Sequence, residues 1–214
     1  FPGELFCLIA WYHHYSFSAY EATCSQTGRT IEPSYQQDFG MNYRKLGKWG
    51  LRVSEVGLGS WLTYGGIVDE KGTAEQVKFA FDQGINFFDT ANVYSGGHGE
   101  VAVGKALKDL PRHEIVLATK VFFPMGRGPN DKGLSRKHIF EQCAASLQRL
   151  QTDYIDLYQC HRFDPDVPIY EVVRAMDDLT RQGKILYWGV SEWSADQIRE
   201  AVDCAYALNA MPPI

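Results

Sequence analysis

The chain has 214 residues, 45% hydrophobic and 22% charged, which is typical of a globular protein and excludes a disordered or collagen-like one. Its formal net charge of -5 argues against a surface for nucleic acid, which would concentrate Lys and Arg to displace the counterions of phosphate. The longest uncharged apolar stretch, residues 5–12, is far shorter than the roughly 20 residues of a membrane-spanning helix, so no membrane insertion is expected.

Residues 1–40 differ from the rest of the chain. They are rich in aromatic and short polar residues and follow neither a helical nor a strand period. A signal peptide is disfavoured, because the start carries no positive charge and the apolar stretch is short before His13 and His14. We interpret residues 1–40 as an extension outside the folded domain and residues 41–214 as that domain.

From Met41 onward the chain becomes periodic. Residues 43–46 and 51–53 flank a Gly47-Lys-Trp-Gly50 turn, which predicts a small hairpin. Five apolar runs follow at intervals of roughly 30 residues with helical patterns between them, as in a series of parallel βα units. The predicted strands span Val56–Gly59, Ile85–Asp89, Ile115–Lys120, Tyr154–Cys160 and Ile185–Ser191.

Polar capping residues predict where several helices begin. Thr73 and Gln76 have the spacing of a capping box and Gly84 suits a C-terminal stop, which predicts a helix over residues 73–83. Further amphipathic helices are predicted after Ser135, over the Val172, Val173, Met176 and Leu179 stripe before Gly183, and after the Ser194 and Gln197 pair. The last residues, 211–214, contain two prolines and predict no sixth strand.

Successive βα units build either an open doubly wound sheet or a closed eight-stranded barrel. An open dinucleotide-binding sheet would carry G-x-G-x-x-G at its first turn, but Gly57-Leu-Gly59 is followed by Leu62 where the third glycine belongs. A phosphate-binding loop would need G-x-x-x-x-G-K followed by Ser or Thr. Residues 104–106 supply the Gly-Lys pair, but an alanine follows the lysine. Neither nucleotide motif is met.

Three of the apolar runs end in side chains that can do chemistry. Asp89, Lys120 and His161 close successive strands, and Tyr94 follows Asp89 by five residues. In a parallel barrel all strand carboxyl ends face the same rim, where barrel enzymes have their sites. A charge that closes a core strand needs a partner to offset its desolvation, and Asp89 and Lys120 can serve each other. We therefore expect these four side chains to converge.

The five cysteines are odd in number, have no C-x-x-C spacing and do not cluster with histidines. Neither a disulfide framework nor a zinc site is therefore indicated, and no metal is assigned. Free thiols are typical of a reducing compartment, so a cytoplasmic location is expected. The cysteines are Cys7, Cys24, Cys143, Cys160 and Cys204.

Four segments lie at or just beyond the ends of predicted strands: Asp89-Thr90-Ala91 with Tyr94, Thr119-Lys120, Cys160-His161 and Gly189–Ser194. Together they resemble the aldo-keto reductases, a (β/α)8 barrel family that uses NADPH. Three further segments are Tyr43–Gly47, Gly133–His138 and Tyr187–Gly189. These resemble the branch of that family that contains the voltage-gated potassium channel beta subunits.

The resemblance implies a catalytic tetrad of Asp89, Tyr94, Lys120 and His161. It also implies NADPH as the cofactor, a small carbonyl substrate, and as partners either further copies of the chain or the cytoplasmic part of a channel. Several animal channel subunits carry Asn at the place of His161, so the histidine here favours competence in reduction. The residues implied along the nicotinamide and its ribose are Ser60, Trp61, Asp89, Ser191 and Glu192.

The chemistry expected of the tetrad follows from its side chains. Hydride delivery to a carbonyl builds negative charge on oxygen, which an acid nearby must stabilise and protonate. Tyr94 is the candidate acid, and a Lys120 ammonium about 4 Å away would strengthen it by favouring the phenolate. Asp89 would keep Lys120 charged, and His161 would orient the carbonyl.

Two other functions stay open at this point. The protein could be a regulatory channel subunit that binds the cofactor with little turnover, or a fragment without function. Five of eight units account for about 160 residues, so roughly 100 residues of barrel are not in this chain. By resemblance those units would carry the adenosine phosphate site, so the choice of NADPH rests on the resemblance. We expect that residues 1–214 alone do not form a stable, competent barrel.

Overall fold

The structure is a computed structural model that describes residues 40–214. The predicted extension over residues 1–40 therefore lies outside the described residues except for Gly40. Within the described part of the chain, no helix is both long enough and apolar enough to cross a bilayer.

Seven strands in residues 40–214 form two sheets. The first two strands pair antiparallel as the predicted hairpin, whose turn is closed by a hydrogen bond from the Leu46 amide to the Leu51 carbonyl at 2.9 Å. The other five begin and end within two residues of the predicted bounds. The strands are β1 (Tyr43–Lys45), β2 (Arg52–Ser54), β3 (Gly57–Gly59), β4 (Phe87–Asp89), β5 (Val116–Val121), β6 (Ile155–Cys160) and β7 (Ile185–Val190).

The five-stranded sheet is parallel throughout, and its strands lie side by side in chain order from β3 to β7. A doubly wound sheet would instead reverse its strand order at a switch point. Right-handed crossovers place the connecting helices on one side of such a sheet, and consecutive helices here pack against one another. The described residues therefore form five consecutive βα units of a (β/α)8 TIM barrel, which confirms the predicted fold class.

Five α-helices lie in the described residues, one after each strand of the parallel sheet. Ser135 caps the third by accepting the His138 amide, and Ser194 caps the last in a reciprocal capping box with Gln197. Both caps are confirmed as predicted. The helices are α1 (Glu70–Asp82), α2 (His98–Leu107), α3 (Arg136–Leu150), α4 (Ile169–Arg181) and α5 (Ala195–Ala207).

Helix α1 begins three residues earlier than predicted, so the capping box assigned to Thr73 and Gln76 is wrong. The N-cap is Asp69, whose Oδ1 accepts a hydrogen bond from the Gly72 amide at 2.7 Å. Thr73 lies buried inside the helix and donates its hydroxyl to the Asp69 carbonyl at 2.8 Å. A carboxylate cap and backbone bonds to it offset the poor helix propensity of Gly72.

Helix α2 has no clear sequence signal because it contains glycines. Gly104 lies against the last turn of α3, where an added Cβ would come within 2.6 Å of the carbonyl group of Leu150. The glycine is therefore required by close packing of two helices, and that contact outweighs its cost to helix propensity.

The main core lies between the sheet and the helices. Successive side chains of a strand point to opposite faces, and Tyr158 and Trp188, both fully buried, face outward from the barrel. The Tyr158 hydroxyl contacts the Ile139 carbonyl of α3 at 3.5 Å, and the Trp188 indole donates to the Met211 carbonyl at 2.8 Å. The side chains that alternate with these along each strand therefore lie on the inner face of the barrel.

The hairpin lies across the amino end of the parallel sheet. The Asn86 side chain joins it to the start of β4, accepting from the Ser54 amide at 2.8 Å and donating to the Arg52 carbonyl at 3.1 Å. In its turn, the Trp49 ring meets the Tyr187 ring of β7 edge-on, with ring centres 6.2 Å apart. The hairpin thus spans from the second strand of the sheet to the last.

The end of the chain adds one pairing that the sequence did not predict. The Ile214 amide donates to the Trp188 carbonyl of β7 at 2.9 Å. The chain therefore begins to line the outer edge of β7 at its final residue.

Candidate functional site

The four residues of the predicted tetrad meet at the carboxyl end of the parallel sheet. Asp89 ends β4, Lys120 is the penultimate residue of β5, and His161 follows β6 directly. Tyr94 begins the short turn, residues 94–97, between β4 and α2. The parallel register brings these positions to one rim, as expected from the order of the strands.

The Lys120 ammonium is the centre of the cluster. It is buried, and it donates to Asp89 Oδ2 at 2.5 Å, to the Thr90 carbonyl at 2.8 Å and to the Tyr94 hydroxyl oxygen at 3.4 Å. An ammonium group has three donors and no acceptor, so these contacts use all of them and make the phenolic oxygen the acceptor. The charge of Lys120 is thus directed at the phenol.

Tyr94 is held in place by an unusual turn. Ser95, Gly96 and Gly97 follow it with φ of 50°, 63° and 97°, all in the left-handed region. Behind the ring, an added Cβ on Gly99 would come within 3.1 Å of the Tyr94 Cβ. The turn and this close approach determine the direction in which the phenol leaves the backbone.

Asp89 has a second partner that the sequence analysis missed. Gln159 of β6 donates its side-chain amide to Asp89 Oδ1 at 3.3 Å. Gln159 pairs in register with Lys120 and stands two residues before His161. Strand alternation places residues two apart on one face, so this signal was present in the sequence.

His161 is buried beside Tyr94, with ring centres 5.8 Å apart in an edge-to-face arrangement. Burial, with the Lys120 charge and then the Arg162 charge adding to it, lowers the pKa of His161 from 6.5 to about 4. The imidazole is therefore neutral near pH 7. Within the described residues its buried Nδ1 atom has no hydrogen-bond partner.

This pKa predicts how His161 responds to acid. We expect its imidazole to titrate with a midpoint near 4 in an NMR pH series, well below the value of about 6.5 of an unperturbed histidine. Because the unfolded chain takes up a proton below pH 6.5 and the folded site only below about 4, stability should fall as the pH drops through that interval. A His161 midpoint above 6 would contradict this account.

Two further residues beside His161 were not predicted. The Phe123 ring meets the His161 ring edge-on with centres 4.9 Å apart, and the Arg162 guanidinium lies 5.4 Å from the centre of the Phe123 ring. Phe123 belongs to the loop over residues 122–134, whose far end is fixed by Asp164 accepting the Leu134 amide at 2.7 Å. The path of this loop depends on tertiary contacts, so no local pattern in the sequence predicts where Phe123 lies.

Ser60 and Trp61, which the resemblance assigns to the cofactor, follow β3 at the same rim. The buried Ser60 hydroxyl donates to Thr90 Oγ1 at 2.8 Å, and its amide donates to the Asp89 carbonyl at 2.9 Å. Trp61 is 56% exposed. Ser60 is thus bonded to the strand that carries Asp89, whereas the Trp61 indole is accessible to a ligand.

Ser191 and Glu192, the other two assigned residues, follow β7. The Ser191 amide donates to the Cys160 carbonyl at 2.9 Å and so continues the sheet next to His161. Glu192 has a φ of 55° and pairs with Arg162 at 3.0 Å. All the predicted site residues therefore lie along one rim, from β3 to β7.

In residues 40–214 no group of three His, Cys, Asp or Glu side chains could hold a metal ion. The three cysteines of this part, Cys143, Cys160 and Cys204, are free thiols. Cys7 and Cys24 lie outside the described residues.

The amino-acid sequence of this chain matches that of a known protein family. The sequence model described as "Aldo/keto reductase family" matches residues 55–212. The chain belongs to the aldo/keto reductase family. The matched residues contain all five βα units and every predicted site residue, so the family and the strand order agree.

Two plant members of the family are similar over most of this chain. A protein of Arabidopsis thaliana named "Probable voltage-gated potassium channel subunit beta" is 48% identical over 176 residues, or 81% of this chain and 53% of its own length. A protein of the same name from Oryza sativa subsp. japonica is 47% identical over the same shares. The chain thus spans about half the length of these relatives.

Proposed function

We propose that the protein carrying this chain is an NADPH-dependent oxidoreductase that reduces a small aldehyde or ketone to the alcohol. The observation that carries the proposal is the Lys120 ammonium, which is directed at the Tyr94 hydroxyl from 3.4 Å while Asp89 and the Thr90 carbonyl hold it in place. Membership of the aldo/keto reductase family supports the reaction class.

Tyr94 acts as the general acid in this proposal. Reduction builds negative charge on the carbonyl oxygen, and a phenol beside a cation can stabilise that charge and then give up its proton. Two charges about 4 Å apart interact by about 4 kcal/mol at an effective dielectric of 20, which is enough to strengthen the acid substantially. Asp89 pairs with Lys120, and the Gln159 side-chain amide in turn holds Asp89 in place.

His161 orients the carbonyl. With a pKa lowered to about 4, the imidazole is neutral and offers one N–H donor without adding a competing positive charge. Phe123 packs against its ring and limits its rotation. A neutral donor opposite the phenol would fix the direction of the carbonyl oxygen, which is the positioning that a reduction requires.

The residues at the rim fit a nicotinamide cofactor. When bound, the cofactor supplies the hydride. Its ring has flat apolar faces and a carboxamide that both donates and accepts hydrogen bonds, and the rim offers the exposed Trp61 indole, the Ser191 hydroxyl and the Gln159 amide. Glu192 would lie beside the adjoining ribose, while the buried Ser60 would support the strand of Asp89 from behind the cofactor. Preference for NADPH over NADH belongs to the same proposal.

The native protein is therefore expected to oxidise NADPH in the presence of small aldehydes. The assay follows the loss of NADPH absorbance with a panel of aliphatic and aromatic aldehydes, and replaces NADPH by NADH to test the cofactor preference. A rate no higher than the blank for every aldehyde and both cofactors would count against the enzyme.

A second candidate function is that of a regulatory potassium channel subunit. The names of the two plant relatives favour it, and they match 81% of this chain. Such a protein would bind the cofactor and the cytoplasmic part of a channel, either as a single copy or as a homo-oligomer. Cofactor binding without turnover, together with co-purification of a channel's cytoplasmic domain, would favour this function; absence of both would leave a fragment without function.

We extend the proposal to domain organisation and location. Residues 41–214 form the barrel part and residues 1–40 an extension outside it, since the family match begins only at residue 55. The three free thiols in residues 40–214 suit a reducing cytoplasm.

A further inference from the structure

One buried carboxylate next to the candidate site has no part in the chemistry described so far. Glu100 has no exposed surface. Its Oε1 accepts the Thr119 hydroxyl at 2.5 Å, and its Oε2 accepts the Arg149 Nε at 2.6 Å. Burying a charge is costly unless it is paired, and this one is paired on both oxygens.

The position of Glu100 relates it to the tetrad. Glu100 lies in the first turn of α2, directly after the turn that begins with Tyr94. Its partner Thr119 precedes Lys120 in β5, and adjacent strand residues point to opposite faces. Glu100 therefore grips the strand of Lys120 from the outer side, while Tyr94 meets Lys120 on the inner side.

The segment that carries Tyr94 is thus fixed to β5 at both of its ends. Before Tyr94, the Asn92 amide donates to the Lys120 carbonyl at 3.1 Å. After it, Glu100 holds Thr119. Between these two anchors Ser95 has a φ of 50°, a left-handed conformation that costs a non-glycine residue free energy and persists only where the surroundings impose it.

Arg149 of α3 adds support to the same turn. Besides pairing with Glu100, its side chain lies where an added Cβ on Gly97 would come within 3.1 Å of Arg149 Cδ. The guanidinium thus closes the outer side of the carboxylate while its methylene chain packs on the turn. A loss of charge at Glu100 would release both contacts.

We propose that Glu100 is a positioning residue for Tyr94, which together with Thr119 and Arg149 sets the separation between the phenol and the Lys120 ammonium. This inference rests on the proposed reductase function. Glu100 does not contact the substrate in this proposal; it acts only through the turn that carries Tyr94.

The chain contains a matched pair that separates this role from simple stabilisation. Asp156 is also buried, and its Oδ2 accepts the Arg112 Nη2 at 2.6 Å and the Leu117 amide at 2.9 Å. Leu117 lies in the same strand as Thr119, toward the amino end and away from the rim. Both carboxylates thus join an arginine to β5, but only Glu100 adjoins the tetrad.

The test compares Glu100→Gln with Asp156→Asn in the native protein. Both should lower the melting temperature. Only Glu100→Gln should lower kcat, by roughly tenfold or more with little change in KM, because an interaction made in the transition state is lost. It should also move the alkaline fall of the pH–rate profile to higher pH, since a phenol less close to Lys120 is a weaker acid.

Milder variants at Thr119 guard against a variant that fails to fold. Thr119→Val keeps the shape and removes the hydroxyl donor, so kcat should fall several-fold, and Thr119→Ser should restore it. Equal activity of the Val and Ser variants, or equal losses of kcat in Glu100→Gln and Asp156→Asn, would overturn the inference.

An activity-independent measurement separates this inference from the proposed function. Amide hydrogen exchange over residues 93–99 should be faster in Glu100→Gln and unchanged in Asp156→Asn. If the native protein turned over no aldehyde, the proposed function would fall, and the exchange pattern would still decide the role of Glu100. Unchanged exchange in both variants would overturn that role.

Discussion

Replacing Tyr94 by Phe is expected to lower kcat for aldehyde reduction by roughly 10²-fold or more. The substitution keeps the ring that packs edge-on against His161 and removes only the hydroxyl that Lys120 contacts. The affinity for the cofactor should hardly change, because the Tyr94 hydroxyl is not among the groups assigned to the nicotinamide. Single-turnover kinetics measure the chemical step, and fluorescence titration measures cofactor binding.

The matched control for this experiment is Tyr158→Phe. Tyr158 is also a buried tyrosine, but its side chain points toward α3, away from the tetrad. Its hydroxyl contacts the Ile139 carbonyl of that helix. This variant should keep its kcat even if it melts earlier. If both variants were equally active, Tyr94 would not be the acid.

A chain of residues 1–214 expressed alone is expected to show neither a cooperative melt nor saturable NADPH binding. Among the described residues β3 pairs only with β4, and β7 pairs with β6 and through one amide with Ile214. A closed barrel has no such edges, and its inward side chains pack in layers from alternate strands. Exposing about 400 Å² of apolar surface would cost about 10 kcal/mol, comparable with the whole stability of a domain.

The control is the same chain completed by the remaining part of the Arabidopsis relative. It should be monomeric or a defined oligomer by size-exclusion chromatography, melt cooperatively and bind NADPH. A cooperative melt and a measurable NADPH affinity in the shorter chain would show that five units suffice for folding and binding.

The strands and the rim could be predicted because each rests on a strong local signal. Buried parallel strands are apolar throughout, so the five runs stand out, and polar residues such as Lys120 and His161 are conspicuous where those runs end. Ser135 and Ser194 are of a residue type that is strongly preferred as an N-cap, and each directly precedes a helical apolar pattern. The pattern alone left open how the strands were ordered, which decides between a barrel and an open sheet.

The remainder depended on contacts between distant residues. Gly104 is unfavourable in a helix until the backbone of Leu150 lies against it, and Gly72 is unfavourable until Asp69 caps it. Phe123 reaches His161 only because Asp164 fixes the end of its loop. Gln159 was the one partner of the site that strand alternation could have identified.

The hairpin at the amino end has a consequence for the order of folding. Its Trp49 meets Tyr187, and its Lys48 donates to the Tyr206 hydroxyl at 3.2 Å across a separation of 158 residues. During synthesis the turn of the hairpin can therefore make these two contacts only after nearly the whole described chain has left the ribosome. Contacts of such high contact order form late and slow the folding rate, so the hairpin should acquire its protection after the βα units that it covers.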